Sequence, residues 1–178
     1  MGGGVSARVL LLAAVGLLAA CAADSARPTG EPPQACASGF EKLAPLLTLP
    51  PAMMPADAAP QKGAPLKYAN AFPIGGKLSD LGHWSQGRSG WAAWRLRLQS
   101  EGARGLSVHV KPFDLPDDAH FWLCAPDGRR QGPYGHEQLT DFWSPQLTSS
   151  ELWLELQVPA AQQSAVNFTL AEVYAAYR

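Results

Sequence analysis

The residues able to do chemistry in this chain are few, and they are spread apart. The four histidines are His83, His109, His120 and His136. No two stand at the close spacing of an HExxH pair, and no CxxC exists, so zinc ligation has no local signature. His109 falls on the polar side of an alternating stretch, where a solvated imidazole is the ordinary reading. Asp114, Asp117 and Asp118 cluster around Pro116. Loop carboxylates can hold calcium, but the twelve-residue EF-hand pattern is missing, and a solvated turn is expected. Acyl-transfer chemistry needs a nucleophile, a base and an orienting acid in contact. Serines and histidines are present without a G-x-S-x-G elbow. Gly75-Gly76 and Gly87 with Gly90 lack the strand–loop–helix setting of a phosphate cradle. Glu151 and Glu155 share one side of a strand pattern and read as a wet sheet face. The expectation is therefore a protein without catalytic residues, without cofactor and without metal.

One cysteine carries a different chemistry. Cys21 ends the twelve-residue apolar run Val9 to Ala20, which Arg8 precedes. A span needs roughly 20 apolar residues, so this run is too short to be one. A charged start, an apolar middle and a small-residue end make a secretory leader. The context Leu18-Ala19-Ala20-Cys21 resembles the lipobox of bacterial lipoproteins, in which the cysteine becomes the lipidated first residue. That resemblance implies three acyl chains, palmitate among them, on Cys21, and an almost irreversible hold on the membrane. Ala22 stands where an aspartate tends to retain Gram-negative lipoproteins at the inner membrane. The expected address is the cell envelope, at the outer membrane.

Loss of Arg8 with the leader takes Lys+Arg from 14 to 13 against 15 Asp+Glu, a net charge of −2. With no basic stripe, nucleic acid is not an expected partner. Cys36 and Cys124 remain. In an oxidising compartment they allow one disulfide, and the alternative is two free thiols with Cys124 a small core residue.

These residues must be positioned by something, and the pattern of the chain says what. Residues 22–66 hold nine of the 16 prolines. Proline fixes φ and lacks an N–H, so no long helix or central strand fits there. The expected organisation is a signal peptide over 1–20, a lipidated cysteine and Pro/Ala-rich linker over 21–66, and a folded domain over 67–178. One apolar island, Phe40 to Leu49, could pack on that domain as a short helix or strand. All six tryptophans lie between Trp84 and Trp153. In this region the period is two. Trp94, Leu96 and Leu98 alternate with Arg95, Arg97 and Gln99, and Leu106, Val108 and Val110 alternate with Ser107, His109 and Lys111. Leu152, Leu154, Leu156 and Val158 alternate with Trp153, Glu155 and Gln157. Phe121 to Cys124, short and continuously apolar as a more buried strand would be, and the alternating Val166 to Leu170 add two more strands. Turn signals at Glu101-Gly102, Leu115 to Asp118, Pro126 to Gly128 and Gly132 to Gly135 separate them. Short strands at this spacing predict an all-β antiparallel β-sandwich, jelly-roll-like.

Trp153 falls on the polar side of its strand, and Trp84, Trp91 and Trp143 sit near turns. Exposed flat aromatics can stack on sugars or anchor a protein. Coverage by a second sheet, a loop or the 40–49 island is the alternative. Tyr134, Trp143 and Trp153 are the candidate binding surface.

The segment from Trp94 onward also resembles a known accessory domain. Its marks are Gly102-Ala103, Leu115-Pro116, Pro126-Asp127-Gly128, Gly132-Pro133-Tyr134, Trp143-Ser144-Pro145, Glu155-Leu156 and Tyr177-Arg178. This succession is similar to the N-terminal propeptide domain of secreted bacterial trypsin-like serine proteases of the lysyl endopeptidase type. The marks are turns rather than catalytic groups. In that family a protease domain follows, whereas this sequence ends at Arg178, so no catalytic residue carries over. The resemblance implies a binding domain used on its own, with a secreted trypsin-like protease as partner, which it would help fold, inhibit or retain. An envelope glycan is the alternative partner.

Overall fold

The computed structural model describes residues 28, 30–54, 67–87, 89–136 and 140–178. Cys21 and the apolar run expected to be a leader lie outside the described residues. Ten strands form two sheets that pack face to face as a β-sandwich. The strands are β1 (Leu46–Leu49), β2 (Ala69–Lys77), β3 (His83–Gln86), β4 (Trp91–Ser100) and β5 (Gly105–Asp114). Then come β6 (His120–Cys124), β7 (Arg130–Tyr134), β8 (Phe142–Trp143), β9 (Glu151–Pro159) and β10 (Asn167–Ala176). Two single-turn helices, α1 (Phe40–Leu43) and α2 (Leu78–Leu81), complete the described elements together with a 3-10 stretch at Ala160–Ala165.

Sheet A runs β1-β4-β9-β6-β7, and sheet B runs β2-β10-β5-β8. Strand β3 also pairs with β4. It covers Ala92 to Arg95, while β1 covers Arg97 to Ser100, so the two share one edge of β4 end to end. All pairings are antiparallel except β1 with β4.

The alternating residues explain the core. Leu96, Leu98, Leu106, Val110, Leu152, Leu154, Leu156 and Val158 are fully buried between the sheets. Burying each such side chain contributes roughly 1.5–3 kcal/mol. Phe113, Phe121, Phe142 and Phe168 meet in one aromatic cluster, with Phe113 and Phe142 centroids 4.7 Å apart and Phe121 and Phe168 5.1 Å apart. Trp94 is also fully buried, and its indole donates to the Leu78 carbonyl at 2.8 Å. Gly82 lies where any Cβ would enter that indole ring.

Some sequence expectations hold here and others change. The island at 40–49 becomes α1 and β1, and both dock on sheet A. The described part of the Pro-rich region, 30–54, is therefore built into the folded unit rather than left as linker. Cys36 and Cys124 are joined by a disulfide across 88 residues. Strand β9 is buried on both faces, whereas the alternation alone put Trp153, Glu155 and Gln157 in water. They are 6%, 0% and 1% exposed. The reason is a strap, residues 30–44, laid over the outer face of sheet A. Phe40 stacks on Trp153 with centroids 4.8 Å apart and planes within 4°. The Cys36 N–H donates to Glu155 Oε2 at 2.8 Å, and Gln157 donates to the Pro33 carbonyl at 3.0 Å. Arg95 pairs with Glu155 at 3.2 Å. A buried charge persists only with such partners. Cys36 takes a left-handed backbone, φ 51°, which a non-glycine residue adopts when its surroundings fix it. The turn expected at Gly132 to Gly135 is instead mostly strand, since β7 runs through Tyr134.

Candidate binding surface

Three neighbouring strands of sheet B put a polar and aromatic cluster on the outer face. In register, His109 of β5 lies between Glu172 of β10 and Trp143 of β8. Cross-strand neighbours on one face stand about 5 Å apart, so these side chains must touch. Lys111 and Ser107 flank His109 on β5 at the two-residue repeat, and Tyr174 follows Glu172 on β10.

Two bulges set this arrangement. Along β10, Phe168 and Leu170 point inward, then Val173 and Ala175 do. The change of parity coincides with the register shift between Leu170 and Glu172. One extra residue there turns Glu172 and Tyr174 outward; a regular strand would bury both. A second shift, between Phe168 and Leu170, faces the Val110 to Phe113 stretch of β5.

The geometry is tight. His109 Nε2 lies 2.7 Å from Asp141 Oδ1, and Nδ1 lies 3.1 Å from Glu172 Oε2. Lys111 donates to the other Asp141 oxygen at 2.7 Å, and the Tyr174 hydroxyl donates to Glu172 at 2.7 Å. The Trp143 ring stacks on the His109 ring, centroids 3.9 Å apart and planes 13° apart, and lies 5.4 Å from Tyr174. Trp143 remains 55% exposed, so its outer side meets solvent.

Charge follows from these contacts. Lys111 first, and His109 second, hold the Asp141 carboxyl below its usual range. Tyr174 first, and His109 second, do the same for Glu172. Burial and the bond to Glu172 push the Tyr174 hydroxyl up to about 12. Both imidazole nitrogens of His109 lie within hydrogen-bond distance of a carboxylate oxygen, so the ring is engaged on both sides. The Ser144 hydroxyl donates to the Pro145 carbonyl and accepts from the Val108 N–H, so it too is engaged. The cluster orients an aromatic surface. Among the described residues no group of three or more His, Cys, Asp or Glu is placed to hold a metal ion.

Of the three aromatics expected to form a surface, the structure leaves one exposed. Trp143 is on the outer face. Tyr134 sits at the neighbouring edge of sheet A, half-buried, its ring 4.8 Å from Phe142, and burial raises its hydroxyl pKa. Trp153 is on the opposite side of the sandwich, beneath Phe40, and is removed from the surface. Trp91 is buried, with its indole donating to the Gly30 carbonyl at 2.9 Å. Sequence reasoning missed Asp141, Lys111, Glu172 and Tyr174. The break in alternation after Leu170 was the one available signal for the last two.

Among the described residues, shallow grooves of about 300, 330 and 290 Å³ lie elsewhere, and Trp143 lines none of these. No protein-family model, curated protein or solved structure matches the chain. Among the described residues, no helix is long and apolar enough to cross a membrane.

Proposed function

We propose that this protein is a non-catalytic lipoprotein, anchored through Cys21 to the envelope membrane, that presents its β-sandwich to a protein partner. The observation that carries the binding role is Trp143. It is a large aromatic, more than half exposed, fixed in place by His109 and Tyr174 on an open sheet face. A rigid exposed tryptophan loses little side-chain entropy on contact and is the residue type most often dominant in interfaces. An aromatic side chain of this kind on an outer sheet face suits a protein partner. The resemblance to protease propeptides supports a secreted trypsin-like protease as that partner, chaperoned, inhibited or retained by the domain.

A second reading has its own observation. The outer side of Trp143, with the Asp141 and Glu172 carboxylates alongside, offers stacking and acceptor groups for sugar hydroxyls, and so an envelope glycan. A crosslinking pull-down with the mature chain against secreted and envelope proteins separates the two. Recovery of a trypsin-like protease, lost in Trp143→Ala, supports the first reading. Glycan retention that is lost in the same variant supports the second. Capture that is insensitive to Trp143→Ala refutes this face as the working surface.

A further inference from the structure

We infer that the strap fixes how the domain stands on the bilayer: the sandwich is held end-on, with the end bearing Trp91, Asp118 and His120 next to the lipid. This rests on the reading of Cys21 as the lipid anchor. A free Pro-rich tether over residues 22–66 could extend at about 3.1 Å per residue, roughly 140 Å in all. The structure withdraws most of that length. The Trp91 indole holds the Gly30 carbonyl at 2.9 Å, and Cys36 is bonded to Cys124. Phe40 lies on Trp153, and β1 pairs with Arg97 to Ser100. The Ala52 N–H donates to the Glu101 carbonyl at 2.7 Å. Docking therefore begins at Gly30 and holds through Ala52. Only seven peptide steps separate Cys21 from Pro28, and seven residues span at most about 25 Å.

The attachment point also chooses an end. Pro28 and Gly30 form one groove with Trp91, Asp118 and His120. Strand β4 starts there at Trp91 and runs ten residues away, so Glu101 at its far end is about 30 Å more distant. Both sheets thus stand upright on the membrane, and the Trp143 face opens sideways. Trp143 lies opposite His109, five residues from the near end of β5 at Asp114, or about 17 Å up. With the short leash added, the partner must come within about 40 Å of the lipid surface. It is a macromolecule that works at the membrane, not one reached by a long flexible arm.

The test uses the full lipidated chain on vesicles of phosphatidylethanolamine and phosphatidylglycerol. A fluorophore is placed through an unnatural amino acid at Asp117, whose side chain is 86% exposed, or at Glu101, also exposed. The acceptor dye sits on a vesicle headgroup. The ~30 Å between the two ends predicts at least about two-fold higher energy transfer from position 117 than from position 101. A Gly/Ser insertion of about 30 residues between Ala23 and Asp24 touches no described residue, and should lower both signals and make them equal. Equal transfer from the two positions in the uninserted, vesicle-bound protein overturns the inference while leaving the anchor intact. Failure of the chain to bind vesicles refutes the anchor itself, and the inference with it.

Discussion

Removing the Cys36–Cys124 bond should lower the stability of the whole sandwich, not only loosen the strap. The bond closes a chain of 88 residues. In the chain-entropy account, a loop of that length constrains the unfolded state by about 4.6 kcal/mol at 25 °C. Cys124 is buried at the end of β6, and the strap it holds covers Trp153, Glu155 and Gln157 on the central strand β9. The cross-link thus joins two parts of one cooperative unit. Urea unfolding of the oxidised protein, the reduced protein and the Cys36→Ala/Cys124→Ala variant measures the effect. With an m-value near 2 kcal/mol/M, the midpoint should fall by about 2 M. The corresponding drop in Tm is about 10–18 °C for a chain of this size. The reduced protein controls for the sulfur atoms lost in the alanine pair. A loss below about 1 kcal/mol in both forms, against the 4.6 kcal/mol of the entropy account, would falsify the reasoning, because the strap would then be peeling away without engaging the fold. Hydrogen exchange localised to residues 36–44 would report the same failure.

Trp153→Ala should cost about 3–5 kcal/mol, as a large aromatic truncated in a packed site, whereas Trp143→Ala should leave the melting temperature nearly unchanged. Thermal scans of the two variants check this, and equal losses would contradict the burial of one and the exposure of the other. Arg95→Leu should destabilise by about 3 kcal/mol because it strands the fully buried Glu155 carboxylate, and more than Glu155→Gln does; urea midpoints decide the order. Asp141 and Glu172 both ionise below their ordinary range when folded. Their contribution is complete above the unfolded values and is lost as pH falls through the folded ones, so stability should decline as the medium is acidified below about pH 4. The decline should be shallower in Asp141→Asn/Glu172→Gln, and modest in both since these groups are a third or more exposed. Tyr174 should ionise near 12 in an ultraviolet titration, and earlier in Glu172→Gln, which removes the neighbouring negative charge.

Alternation made most of the sandwich legible. Four of the strands, β4, β5, β9 and β10, announced themselves by period two, because a sheet with one face in the core must repeat that way, and β6 by a short continuous apolar run. Strand β2, with Pro73 and Gly75-Gly76 in it, and the short β3, β7 and β8 carry too little alternation to be seen. Their strand character comes from neighbours that supply ladder partners. Strand β10 was half legible: its pattern breaks at the bulge after Leu170, and only the paired strands show that the strand continues to Ala176.

By itself the sequence determined the alternation that makes a β protein, the short apolar run that Cys21 follows, and the single pairing open to Cys36 and Cys124. These are local in nature: a period, a short run, a count. Tertiary structure alone decided which faces are dry. Trp153 and Trp143 look alike along the chain, yet a strap more than a hundred residues away buries the first, while nothing among the described residues covers the second. His109 looked like a solvated side chain until the bulged β10 brought Glu172, and the bend before β8 brought Asp141, to its ring. Coverage and cross-strand contact depend on residues distant in sequence, and no local pattern encodes the partner that a side chain will meet.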